Sequence, residues 1–156
     1  MRTAVKAGLT AMAMTRLWTL PLLAALAAIG SGADKRIIYP PEFRPDLPFS
    51  PGVLVGDTLY CAGQTGADLK TNEYPENFED EVHQTFKRIG IILKAANFDF
   101  SHVVEARVYL TDMSLFPRMN AVYTQYFKKD RPARTTVGVA SLGGKAHIEI
   151  TVVARK

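Results

Sequence analysis

Apolar residues along the body of this chain recur with two different periods, and the switches between them mark its elements. Phe78, Val82, Phe86, Ile89 and Leu93 follow one another at three- and four-residue steps, the spacing of one face of an α-helix. Asn77 stands before them as a cap, and Glu79, Asp80 and Glu81 fill the first turn, where the helix dipole favours acids. Residues 95–100, "AANFDF", end the helix. The period then falls to two. Over residues 102–112, Val104, Ala106, Val108 and Leu110 alternate with Glu105, Arg107 and Tyr109, which predicts a strand with one face on a core. A second helix follows from the stripe Leu115, Met119, Val122, Tyr123, Tyr126 and Phe127, whose aromatics read as core residues.

Upstream, five prolines from Pro40 to Pro51 make an irregular lead-in. Two short apolar runs then meet at Gly56-Asp57 and predict a hairpin over 53–55 and 58–62. The polar run "ADLKTNEYPEN" reads as a loop. The last two strands are predicted over 135–139 and 146–154, joined by the "SLGGK" turn. In the final strand Ile148, Ile150 and Val152 share one face, and His147, Glu149 and Thr151 the other. In its partner, Arg134, Thr136 and Gly138 lie opposite Val137 and Val139 in parity. Two helices can cover one face of such a sheet, and the β-branched faces are the natural ones to meet them. The other face would carry Glu105, Arg107, Tyr109, Thr136, Gly138 and Glu149, too polar for a second apolar layer. A second copy of the same sheet could cover it, so a homo-oligomer with a semi-polar interface is expected.

At 156 residues there is room for one domain. The net charge of +4 comes mostly from residues 1–33, which hold Arg2, Lys6 and Arg16 and no acid. The remaining 16 basic and 15 acidic residues give no electrostatic argument for nucleic acid. Those first 33 residues read as a targeting segment, with a 14-residue apolar run at 17–30 that is short for a membrane span and suits a cleaved signal. Met14 offers an alternative start. The expected location is periplasmic or secreted, or mitochondrial for a eukaryotic source, with no stable span after cleavage and residues 34–156 as the working domain. Cys61 is the only cysteine, which excludes an internal disulfide, and its setting in "TLYCAG" suggests a buried strand thiol.

Candidate chemistry is sparse. His83, His102 and His147 show no ligand spacing such as H-E-x-x-H, so no metal site is predicted. Phosphate-binding loops and a G-x-S-x-G elbow are missing too. Arg134 differs. It follows Pro132 at the sharp start of a strand, where a planar guanidinium can grip a carboxylate bidentately or form a structural ion pair with Glu149 or Glu105. Glu149, between Ile148 and Ile150, is either an Arg107 partner or a base that orients water.

The segment "PARTTVGVASLGGKAHIEITVVA" resembles the C-terminal signature of the reactive intermediate deaminase (Rid, YjgF-like) family. The match continues through "CAGQTG" and "SHVVEARVYLTDMSLFPRMNAVYTQYF", and covers residues 49–154. The resemblance implies an α+β, chorismate-mutase-like single domain, a mixed β-sheet with two helices packed on one face. It also implies a homotrimer with three clefts between subunits. The activity implied is hydrolysis of small carboxylate-bearing 2-enamine/2-imino acids to 2-keto acids and ammonia, without a cofactor. Arg134 would then bind the substrate carboxylate, Glu149 would place the attacking water, the main chain at Thr136 would assist, and Phe49, Ala62 and Gly63 would line the cleft. Three positions depart from the best-characterised deaminases: Phe49 replaces tyrosine, Ala62 serine and Thr136 cysteine. The two missing hydroxyls keep an alternative open, a non-catalytic trimer that binds carboxylates or a partner protein.

Overall fold

The computed structural model describes residues 34–156, and the expected targeting segment at 1–33 lies outside the described residues. Seven strands form one sheet: β1 Lys35–Ile38, β2 Gly52–Val55, β3 Thr58–Cys61, β4 Gln64–Thr65, β5 Val103–Leu110, β6 Ala133–Gly138 and β7 Ile148–Arg155. Their order is β1-β2-β3-β7-β5-β6, with β4 continuing along β7 beyond β3. Only β5 and β6 run parallel, and the helix between them makes the crossover such a pair needs. The expected mixed α+β sheet with two helices is therefore found.

Helix α1, Phe78–Ala95, is built as its periodicity predicts. The Asn77 side chain accepts from the Asp80 N–H at 3.1 Å, and Phe78, Val82, Phe86, Ile89 and Leu93 are all buried. Helix α2, Phe116–Tyr126, buries Met119, Val122 and Tyr123. Phe127 is buried just past its end, and Leu115 belongs to the short 3-10 turn before it. The helices are tied by His83 Nδ1 to Tyr126 Oη at 2.9 Å and by a two-pronged Arg118–Glu79 pair at 2.5 and 2.6 Å. Beneath them, Ile148, Ile150, Val152 and Ala154 alternate inward along β7. No helix of the described residues is long and apolar enough to cross a membrane.

Three expectations change. The prolyl lead-in is preceded by a strand, β1, paired antiparallel with β2. Val104 is not a core residue: it is 48% exposed, and Val103 is buried in its place. The cause is a bulge, since Val103 faces Ala154 while Glu105 faces Val153, leaving Val104 as the extra residue. Thr136 and Gly138 move to the helix side. They stand beside Val108 and Leu110 in the parallel register, and aligned neighbours share a face. A Cβ on Gly138 would lie 3.0 Å from Met113 Cγ.

The other face is thus formed by Ile37, Val53, Tyr60, Glu105, Arg107, Tyr109, Thr135, Val137, Glu149, Thr151 and Val153. Ile37, Tyr60 and Val137 are 46%, 51% and 40% exposed, and at its centre Arg107 Nε meets Glu105 Oε1 at 2.7 Å. Cys61, on the inner side of β3, is buried, and burial pushes its thiol up to about 12. A thiol held protonated is a poor nucleophile. Iodoacetamide at pH 8 should leave the native protein unmodified and alkylate Cys61 only in denaturant; rapid native labelling, read by mass spectrometry, would show that β3 opens.

Candidate functional site

The break between β3 and β4 falls at Ala62 and Gly63, and its shape is set from three sides. The Ala62 N–H donates to Pro51 O at 2.9 Å. Buried Gln64 donates from Nε2 to Ala62 O at 3.1 Å and accepts from Arg88 Nε at 3.0 Å. Arg88 on α1 also donates to Ala67 O at 2.7 Å and lies over the Phe43 ring, 5.5 Å from its centroid. The loop is therefore buttressed from the helix side by a buried amide and a stacked guanidinium.

On the opposite side of that loop lies Glu149, paired in register with Thr65 and with Tyr109. Its carboxylate rests directly on Gly63: a Cβ there would stand 1.9 Å from Oε1 and 2.8 Å from Cδ. Only glycine permits this approach. Arg107 is engaged by Glu105, and Glu149 forms no ion pair among the described residues. Phe49, 48% exposed, precedes Pro51 by two residues, so Phe49, Ala62, Gly63 and Glu149 belong to one end of the sheet.

Glu81 is a member of this region that the sequence reading missed. It is fully buried. Its Oε1 accepts from the His147 and Ile148 N–H groups at 2.8 and 3.4 Å, and its Oε2 meets His147 Nδ1 at 2.8 Å. Gly66 passes so close that a Cβ would lie 2.4 Å from Glu81 Cγ. A signal was present: Glu81 falls between Phe78, Val82 and Thr85 on the inward stripe of α1, where an acid needs a buried partner.

Arg134 and Thr136 sit elsewhere, on β6 at the sheet's edge. The Arg134 guanidinium lies over the Tyr123 ring at 4.5 Å and near Phe116 at 5.6 Å, a stacking that holds its plane and leaves its N–H fork open. Among the described residues it has no carboxylate partner, so the structural ion pair with Glu105 or Glu149 is not formed within the chain. Behind it, Tyr123 Oη and Thr136 Oγ1 are buried without hydrogen-bond partners among the described residues. Burial pushes the Tyr123 phenol up, against the pull of Arg134 and Arg131. Val139 N–H turns to Leu110 O on β5 at 2.8 Å; by strand alternation Arg134 and Thr136 turn their main-chain groups to the open edge.

The predicted residues therefore fall into two separate groups. Phe49, Ala62, Gly63 and Glu149 make one; Arg134 and Thr136 make the other. Strand β5 lies between β7 and β6, and Arg134 faces the helices whereas Glu149 faces away from them. The chain alone does not bring them together.

Two glycines test this packing in opposite ways. Gly63→Ala meets only the movable end of Glu149, whereas Gly66→Ala also meets the Glu81 main-chain oxygen at 2.6 Å. Thermal melting should find Gly66→Ala destabilised by about 1–3 kcal/mol, several degrees, and Gly63→Ala by much less, with the Glu149 carboxylate displaced in its crystal structure. Equal melting losses would contradict the geometry.

A family model described as Endoribonuclease L-PSP matches residues 41–156. A RutC family protein of Saccharolobus solfataricus is 43% identical over 124 residues, 78% of this chain and 98% of that one. The human 2-iminobutanoate/2-iminopropanoate deaminase is 42% identical over 108 residues, 69% of this chain and 79% of the human one. The fold matches the YjgF gene product of E. coli with a TM-score of 0.72 at 28% identity, over 78% of this chain and 98% of that one. With its fold, its sequence signature and these matches in agreement, the chain belongs to the Endoribonuclease L-PSP family, the Rid or YjgF-like proteins, which includes imine deaminases.

Proposed function

We propose that the protein hydrolyses reactive 2-enamine and 2-imino acids of the 2-aminoacrylate type to 2-keto acids and ammonia, in clefts between the copies of a homotrimer. The observation that carries this reading is a pair of charges without an ion-pair partner among the described residues: a stacked guanidinium at Arg134 and a carboxylate at Glu149 seated on Gly63. A face-to-face assembly covers the exposed Ile37, Tyr60 and Val137. The Glu105–Arg107 pair is matched within each copy, so its burial strands no charge. The same assembly can bring one copy's Arg134 edge against another's Glu149 end.

In such a cleft Arg134 takes the substrate carboxylate on its fork and fixes the imine carbon. Glu149 accepts a hydrogen bond from water and removes its proton as oxygen attacks. The open main chain at Thr136 holds substrate or water, and Phe49 supplies an apolar wall. The imine carbon is already electrophilic, so most of the acceleration is orientation, and the chemistry needs no cofactor. A second reading, capture of small carboxylates or a partner protein without turnover, is favoured by Phe49 and Ala62, which bring no hydroxyl to the cleft. Residues 1–33 fit an export signal, which supports a periplasmic or secreted location, or a mitochondrial one for a eukaryotic source.

Mixing variants tests the cleft directly. Arg134→Ala and Glu149→Gln should each be inactive on imines generated by an amino-acid oxidase, with folding and oligomer size unchanged. Co-refolded in equal amounts, they should regain about a quarter of wild-type activity, the share of clefts that draw both intact residues from different copies of a randomly mixed ring. Mixtures as inactive as their parents would remove the reading of a cleft shared between copies. Arg134→Lys, which keeps charge and loses the fork, should lower kcat/KM by ~30-fold or more, from the roughly 2 kcal/mol at the low end for a desolvated charge contact. Wild-type kcat/KM in that variant would make Arg134 structural.

A further inference from the structure

Glu81 does more than hold the start of β7. An ionised carboxylate only accepts hydrogen bonds, so opposite an ionised Glu81 the His147 Nδ1, which it meets at 2.8 Å, carries the proton. In the neutral ring the proton is then on Nδ1 and Nε2 keeps its lone pair. Nε2 forms no hydrogen bond among the described residues, and the His147 side chain is 58% exposed whereas that of Glu81 is fully buried. The His147 N–H is held by the second oxygen of the same carboxylate, so backbone and ring are both fixed by one buried group. A ring oriented from behind with its far nitrogen open is the arrangement that proton transfer requires. His147 precedes Glu149 by two residues, so their Cα atoms lie within about 7 Å of each other. Its N–H and that of Ile148 both reach Glu81 Oε1, so the chain bends at His147 and strand alternation does not set the face of its ring.

We propose that His147 is the second proton carrier beside Glu149 and that Glu81 is its positioning residue; the inference rests on the deaminase reading. With the bare Nε2 first protonated from solvent, water attacks the imine carbon and gives one proton to Glu149, while the imidazolium Nε2–H protonates the imine nitrogen. The carbinolamine results. Its nitrogen then takes the proton held by Glu149 and departs as ammonia with the C–N electron pair. The hydroxyl proton passes to His147 Nε2 as the carbonyl forms. One imine and one water become one keto acid and one ammonia, and both side chains return to their starting forms.

The test uses the full chain and two readouts. Long-range ¹⁵N NMR of the neutral ring should show His147 with Nδ1 protonated and Nε2 bare, and Glu81→Gln, whose amide can donate to Nδ1, should shift the proton towards Nε2. On an in-situ imine, His147→Ala should lose kcat by about 100-fold with KM and oligomer size little changed, and added imidazole should restore part of it above the same imidazole with Glu149→Gln. A neutral ring with its proton on Nε2 in the wild type, or His147→Ala with wild-type kcat, overturns the relay and leaves the deaminase reading standing. A kcat loss that imidazole does not restore, accompanied by a changed KM or oligomer size, assigns His147 a structural role and overturns the relay as well. A wild type without turnover overturns both.

Discussion

A carboxylate with no exposure must be satisfied by the protein around it, and Glu81 is satisfied by the segment that begins β7. Leaving such a group without donors costs several kcal/mol, a large part of a domain's net stability. That single requirement locks three things together: the first turn of α1, the passage of Gly66 beneath it, and the point at which β7 enters the sheet. Strand β7 pairs with β3, β4 and β5, so the register of the whole centre descends from where it starts. Glu149 reaches Gly63 because β4 and β7 are held in that register.

The sheet then sorts its charges by face. Glu105 and Arg107 neutralise each other on the outer face, and Glu79 and Arg118 do so between the helices. Hydrogen bonds from Arg118 hold the Glu79 carboxyl down at about 2; its contribution is thus full above the usual carboxylate range and is lost as pH falls towards that value. Arg134 and Glu149 are left out of this pairing, one stacked on an aromatic ring and the other leaning on a glycine. Both are held by contacts that restrict their position without consuming their charge. Groups fixed in this way need little reorganisation when a ligand arrives, which is the condition under which electrostatic interactions act most strongly.

The parts of the fold governed by local period were legible in the sequence. The α1 stripe and its Asn77 cap, the inward set Ile148, Ile150 and Val152, and the Gly56-Asp57 hairpin all stand where the pattern placed them. The failures share a cause, dependence on a partner strand or a distant contact. A bulge at Val104 shifts a face by one residue, and nothing within 102–112 announces it. The face of an edge strand is set by its neighbour's register, so the parity of 134–138 could not tell which side Thr136 takes. Arg134 and Glu149 were found through motif resemblance, and spacing had left each of them two partners. Glu81 was visible as an acid in a first turn, but its burial depends on Gly66 and His147, the latter 66 residues away.

For the proposed deaminase, placing Arg134 and Glu149 on opposite faces would also solve a chemical problem. Were they neighbours in one chain, they would pair, and at 4 Å with an effective dielectric near 20 that attraction is about 4 kcal/mol. A substrate carboxylate would have to break it before binding, and the base would be masked by the cation meant for the substrate. Separation by β5 and by the thickness of the sheet prevents this collapse in the single chain. In a cleft between copies the same charges can face each other across the width of a small ligand, where at ~7 Å the attraction is roughly 2 kcal/mol. That is too weak to pull the cleft shut and of the right sign to favour assembly. A carboxylate-bearing ligand with an electrophilic carbon next to it fits the charge order of such a gap, its anion on the arginine and its reacting centre towards the glutamate. The oligomer and the chemistry would then have one origin, the refusal of the fold to let these two residues meet inside a single copy.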